Sequence, residues 1–156
     1  MPEVAAAMGL AQVERLDFFI DLHLRVAKMY EEIISACNYL IPQQTPDGYL
    51  NTYWCYSAKY IRQDVSWYQF RDKYMEFGGD GIYASWALLY DETLFTSKAY
   101  KKIAPHYYDQ LDFEKGICPV AEEIQPQIMQ FVNNYGSIEE AEPKIKALAK
   151  TINFFQ

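Results

Sequence analysis

Side chains able to do acid–base or nucleophilic work are thinly spread in this sequence, and few stand at spacings that chemistry requires. His23 falls in a helical stretch and His106 in a loop, each without a companion His or Cys at ligand spacing. A metal site needs several converging ligands, so none is expected. Cys37, Cys55 and Cys118 form an odd set with no CxxC pair. A Cys–His nucleophilic pair would require distant residues to meet, and Cys55, between Trp54 and Tyr56, reads as a structural thiol in a strand. Glu122–Glu123 and Glu139–Glu140 read as solvated faces and partners of a helix dipole. No catalytic residue is expected from the residues alone.

The loop Gly78-Gly79-Asp80-Gly81 is a separate candidate. No GKS or GKT follows it and no helix opens after it, so it is not a phosphate loop. Lying after a helix and before a strand, it reads first as a helix cap and turn that need positive φ. The alternative is close approach of a ligand to backbone without Cβ atoms. Downstream, Tyr83, Trp86 and Tyr90 are spaced for a ring-lined wall, able to hold a sugar or a partner subunit.

The elements that must position these residues follow from periodicity. Residues 2–37 place apolar side chains at steps of three and four (Val4, Met8, Ala11, then Leu16, Phe19, Ile20, Leu24, Ala27, Tyr30, Ile34), which predicts helix. One unbroken helix would extend about 50 Å at 1.5 Å per residue, so a bend near Gly9 or Asp17, or a crossing between domains, is expected. Pro42, Pro46 and Asp47-Gly48 then turn the chain. Residues 49–61 alternate and are rich in Tyr and Trp, as a strand is. Asp64 or Ser66 can cap a helix running to about Phe77, 82–86 reads as a short strand, and 87–117 as irregular with a helical turn or two around Leu94–Lys102. Pro119 suits the first turn of a short helix, 128–132 a third strand. Ser137 with Glu140 has capping-box spacing for a last helix whose regular part is expected to begin near Pro143.

The expected class is therefore α+β, or a small α/β layer: a long N-terminal helical arm (1–40), then a small domain (41–156) with a sheet of about three strands flanked by helices. At 156 residues the chain can bury about two-thirds of its unfolded surface. A net charge of −7 with scattered Lys and Arg argues against nucleic acid, since phosphate contacts need clustered bases. Short, charge-interrupted apolar runs argue against a membrane span. The odd cysteines and lack of a signal segment read as reduced thiols in the cytoplasm.

Four stretches resemble the DegT-type nucleotide-sugar aminotransferases, which use pyridoxal phosphate (PLP), and within them the perosamine-synthase-like branch. They are PEVAAAMGLAQVERLD at 2–17, FGGDGIYASWALLYDETLF at 77–95, CPVAEEIQPQI at 118–128 and NNYGSIEEAEPKI at 133–145, with the strand NTYWCYS between. Thr93 departs from the branch, which often has proline there.

The resemblance implies a fold like that of the aspartate aminotransferases, whose large domain binds PLP on a lysine while a small C-terminal domain closes over the site. It also implies that the Schiff-base lysine and its partners lie upstream of the segment matched by this chain's first residues. No catalytic or cofactor-binding residue carries over, and none of Lys28, Lys59, Lys73 or Lys98 sits in a matching context. Gly81, Tyr83, Ser85 and Trp86, with Tyr90, align with the border of the nucleotide-sugar pocket. The expectation is a C-terminal portion inactive alone and without PLP of its own. The alternatives are half of a split enzyme that docks on a separate N-terminal half, or a binding or assembly module. A homodimer or higher homo-oligomer is expected, because a small domain without its large domain exposes apolar surface.

Overall fold

A computed structural model describes residues 1–108 and 110–156. The N-terminal helical stretch is two helices. α1 (Glu3–Val13) ends at Glu14, and α2 (Leu16–Ile34) begins after Arg15, whose φ of −108° and ψ of 6° leave helical geometry. The break thus falls between the two expected bends. The helices differ in surroundings. α1 is apolar on every side and buries nothing, whereas α2 sends Leu22, Val26, Ala27, Tyr30 and Ile34 into the core.

A four-stranded antiparallel sheet lies beside α2, in the order β1-β2-β4-β3, from β1 (Leu40–Pro42), β2 (Tyr56–Tyr60), β3 (Tyr83–Ala84) and β4 (Ile128–Phe131). The sheet has one strand more than expected, because β1 is three residues ending in proline and gives no alternation to read. β2 is shorter than the 49–61 run. Gly48 at φ 83° and Tyr53 at φ 50° take the preceding residues out of extended geometry, and Asn51 Oδ1 accepts from the Tyr53 N–H at 3.0 Å in an Asx turn.

Helices cover one face of the sheet. Tyr56, Ala58 and Tyr60 of β2, with Met129 and Phe131 of β4, point towards α2, α3 (Trp67–Glu76) and α8 (Ile138–Phe155). There they meet Val26, Phe70, Tyr74, Ile145 and Leu148. Full burial of an aliphatic or phenylalanine side chain such as Val26, Phe70, Ile145 or Leu148 stabilises by roughly 1.5–3 kcal/mol.

Both long helices after the arm start on serine caps. Ser66 and Gln69 form a complete capping box on α3. On α8, Ser137 Oγ accepts from the Glu140 N–H at 3.4 Å, and the Glu140 carboxylate reaches back to the Gly136 N–H at 2.9 Å. Helical structure begins at Ile138, not near Pro143 as expected. Pro143 removes its own N–H bond and crowds the Glu139 carbonyl, but the cap bonds at Ser137 and Glu140 hold the turn before it.

Residues 87–108 and 110–117 leave the sheet and return. A 3₁₀ turn (Leu89–Asp91), α4 (Thr93–Thr96), α5 (Ala99–Ile103) and α6 (Pro105–Tyr108) lie in this excursion. It leads back to α7 (Pro119–Ile124), which has proline in its first turn, and to a second 3₁₀ turn (Gln125–Gln127) before β4. Among the described residues no helix is long and apolar enough to cross a membrane.

Candidate functional site

The other face of the sheet is open. Tyr83 pairs with Gln130, and Gln130 with Ser57, so these three side chains share the face away from the helices. A cleft of about 460 Å³ lies here, walled by Trp54, Cys55, Tyr83 and Trp86 and floored by β4 and the segment up to Asn134. The rings of Trp54, Tyr83 and Trp86 are 73%, 61% and 81% exposed, so their faces are free to stack on a ligand.

Hydrogen bonds from the core side fix the floor. Tyr30 Oη donates to the Val132 carbonyl at 2.9 Å and lies 3.3 Å from Tyr135 Oη. Asn133 is fully buried and donates from Nδ2 to the carbonyls of His23 on α2 (3.1 Å) and Tyr53 (2.7 Å). Its Oδ1 finds no hydrogen-bond partner among the described residues.

The Gly78–Gly81 loop is tied to the same segment. Tyr135 Oη donates to Asp80 Oδ2 at 2.6 Å, and Lys144 Nζ reaches Asp80 Oδ1 at 3.2 Å and the Gly78 carbonyl at 3.1 Å. Burial first, then this bond to Asp80, raises the Tyr135 pKa above the ordinary phenol value. The loop is the helix cap that its position implies. Gly78 sits at φ 92°, and a Cβ on Gly79 would meet the Tyr74 ring at 2.3 Å. A Cβ on Gly81 would make only ordinary contact, with Arg71 Nη2 at 3.8 Å.

Of the residues the sequence singles out, the structure brings Tyr83 and Trp86 together in the cleft. Ser85 contributes its carbonyl to Gln125 Nε2 (3.1 Å), which also holds the Trp86 carbonyl at 3.1 Å. Tyr90 lies elsewhere. With Leu94, Phe95, Tyr100 and Phe113 it lines a second hollow of about 330 Å³, and its hydroxyl donates to Glu122 Oε1 at 2.7 Å. Desolvation and this bond push its pKa up to about 12, while the Tyr90 hydroxyl and the Gly116 N–H hold Glu122 below the ordinary carboxylate value. Trp54, Gln130 and Asn133 complete the cleft without having been singled out. Alternation in β4 could have found Gln130, but nothing local marks the other two.

The cleft offers aromatic faces, amide groups and one thiol, and no lysine or histidine lines it among the described residues. The described residues also hold no group of three or more His, Cys, Asp or Glu able to take a metal ion. Rings and amides of this kind can stack on and hydrogen-bond a ligand, and no histidine lines the cleft, among the described residues, to activate Cys55.

An arm running into a small half-open sheet is an architecture known from larger enzymes. The structure of the aminotransferase TlmJ from Streptoalloteichus hindustanus matches 97% of this chain at a TM-score of 0.68 and 19% identity. The putative sugar aminotransferase Spr1654 from Streptococcus pneumoniae, in its PMP form, matches all of it at 0.70 and 15%. PseC from Helicobacter pylori, an aminotransferase of pseudoaminic acid biosynthesis, matches 99% at 0.68 and 15%. At these identities the likeness is one of fold. The chain spans 37%, 36% and 38% of those proteins respectively. No curated protein matches significantly. The model of the DegT/DnrJ/EryC1/StrS aminotransferase family matches residues 1–133, and the chain belongs to that family.

Proposed function

We propose that this chain supplies the small-domain portion of a PLP-dependent nucleotide-sugar aminotransferase and does not catalyse transamination by itself. The observation that carries this reading is the pairing of a family match over residues 1–133 with a cleft lined by rings and amides and, among the described residues, by no lysine. Transamination on PLP needs an amine to hold the cofactor and move a proton. The cleft has none, and several lysines are already engaged: Lys73 with Glu76, Lys98 with Asp112, Lys144 with Asp80 and Lys146 with Glu142. The residues here do not fit covalent attachment of PLP, so no step is derived through it. In this reading Tyr83 and Trp86, with Trp54, border the sugar pocket, and the amine comes from other polypeptide.

The surface of α1 supports the same reading. A helix apolar all round belongs in an interior, yet Val4, Met8, Leu10 and Val13 are all exposed. A second polypeptide covering this helix, either an N-terminal aminotransferase half or a second copy of the chain, would bury it.

Titration of the purified chain with PLP, followed by borohydride reduction and mass spectrometry, tests the proposal. The expected result is no stoichiometric reduced adduct and no amino transfer to a keto sugar. Site-specific labelling of one lysine together with turnover would overturn it.

A further inference from the structure

The excursion between β3 and α7 is built as a body of its own. Tyr100, only 5% exposed, packs against Phe95, Tyr108 and Phe113 with ring centroids 5.3–5.7 Å away. Tyr100 is buried yet stands outside the main core cluster. An ionic strap ties the outgoing limb to the returning one. Lys98, held at φ 54°, reaches Asp112 at 2.9 Å and Glu114 at 3.4 Å, and Lys101 reaches Asp112 at 3.2 Å. The substantial contacts of α4, α5 and α6 are with one another and the neighbouring 3₁₀ turn, among the described residues.

Attachment to the rest of the protein converges on one carboxylate. Glu122 Oε1 on α7 accepts from Tyr90 Oη on the outgoing limb (2.7 Å) and from the Gly116 N–H on the returning limb (2.6 Å). The outgoing limb starts at irregular residues 86–88, just after the Trp86 carbonyl held by Gln125 Nε2, and the returning limb turns at Gly116, whose φ of 100° suits a glycine hinge. Trp86, at the start of the outgoing limb, is a wall of the cleft.

We propose that residues 87–108 and 110–117 form a lid that swings as one body about 86–88 and Gly116, latched by Glu122, and that its position sets the Trp86 ring against the cleft. This goes beyond the aminotransferase assignment and does not depend on it. A lid with its own aromatic cluster and strap keeps its internal hydrogen bonds when the latch opens, so opening is distinguishable from local melting.

Tyr90→Phe provides the test, because it cuts one limb free and leaves the Gly116–Glu122 bond in place. In the full chain, one-body opening requires the Gly116 amide to exchange on the order of tenfold faster, the effect of losing a hydrogen bond to a charged group. The amides of Phe95 and Thr96 inside the lid keep their protection. With 5-fluorotryptophan incorporated, the fluorine resonance of Trp86 should shift or broaden while that of Trp67 on α3 stays fixed. Unchanged exchange at Gly116 would show that the limbs move independently and overturn the proposal. Equal loss of protection at Phe95 would mean that the segment melts instead, and an unmoved Trp86 resonance would sever the lid from the cleft.

Discussion

Asn133 holds Tyr53 in a left-handed backbone conformation: its Nδ2 donates to the Tyr53 carbonyl at 2.7 Å while Tyr53 sits at φ 50°. The same nitrogen donates to the His23 carbonyl on α2 at 3.1 Å. One buried amide therefore joins the arm, the chain entering β2 and the floor of the cleft. A non-glycine residue at such φ persists only when its surroundings over-determine it, and here the stack of Tyr53 on Tyr56, with centroids 5.7 Å apart, adds to the clamp.

Replacing Asn133 with alanine should destabilise the fold by about 2–3 kcal/mol, through two lost hydrogen bonds and two carbonyls left buried. The urea midpoint measures it. A loss under about 0.5 kcal/mol, the range of surface changes, would mean that the amide clamps nothing.

The glycines should separate by mechanism. Gly79→Ala forces a Cβ into the Tyr74 ring at 2.3 Å and should be the most damaging, at about 1–3 kcal/mol or more. Gly78→Ala meets no atom but is strained at φ 92°, and about 1 kcal/mol is expected. Gly9→Ala, inside α1 with nothing within 4 Å, should stabilise by up to about 1 kcal/mol. Thermal melts of the three variants check this order.

The two serine caps are unequal. Ser66→Ala breaks a complete capping box and should lose about 1 kcal/mol. Ser137→Ala gives up a long 3.4 Å bond, and the loss should stay under about 0.5 kcal/mol, because Glu140 still holds the Gly136 N–H. Equal effects would show that the cap geometry does not set the energy.

Alkali should unfold the protein in a defined direction. Burial holds the hydroxyls of Tyr30, Tyr56 and Tyr74 above the ordinary phenol value, and raises Tyr60 to about 12. Below pH 10 both folded and unfolded chains keep these protons and the contribution is fully present. Above it the unfolded chain binds fewer protons, so stability falls as pH rises towards the folded values. Absorbance titration of tyrosinate should show these residues ionising together with loss of the fold. Ionisation near pH 10 in the intact fold would contradict their burial.

Charge on the exposed face of α1 should reduce association without affecting the core. Val4→Glu with Met8→Glu changes two side chains exposed by 74% and 67%. Light scattering should show a smaller species than the parent chain, with the urea midpoint unchanged. A parent that is itself monodisperse and monomeric would remove the oligomer expectation.

What the sequence carried by itself was local. Steps of three and four marked α2 and α8, Ser66 and Ser137 marked the capped starts of α3 and α8, and two glycines after α3 marked its end. Each rests on bonds or contacts between residues a few positions apart, and the family blocks are contiguous runs of the same kind. Tertiary structure alone decided the order β1-β2-β4-β3, which face of the sheet stays open, and that Tyr90 leaves the wall shared by Tyr83 and Trp86. It alone set Asn133 against His23 and Tyr53, 110 and 80 positions away. Pairing over such separations depends on which surfaces the packed helices leave uncovered, and no spacing along the chain encodes it.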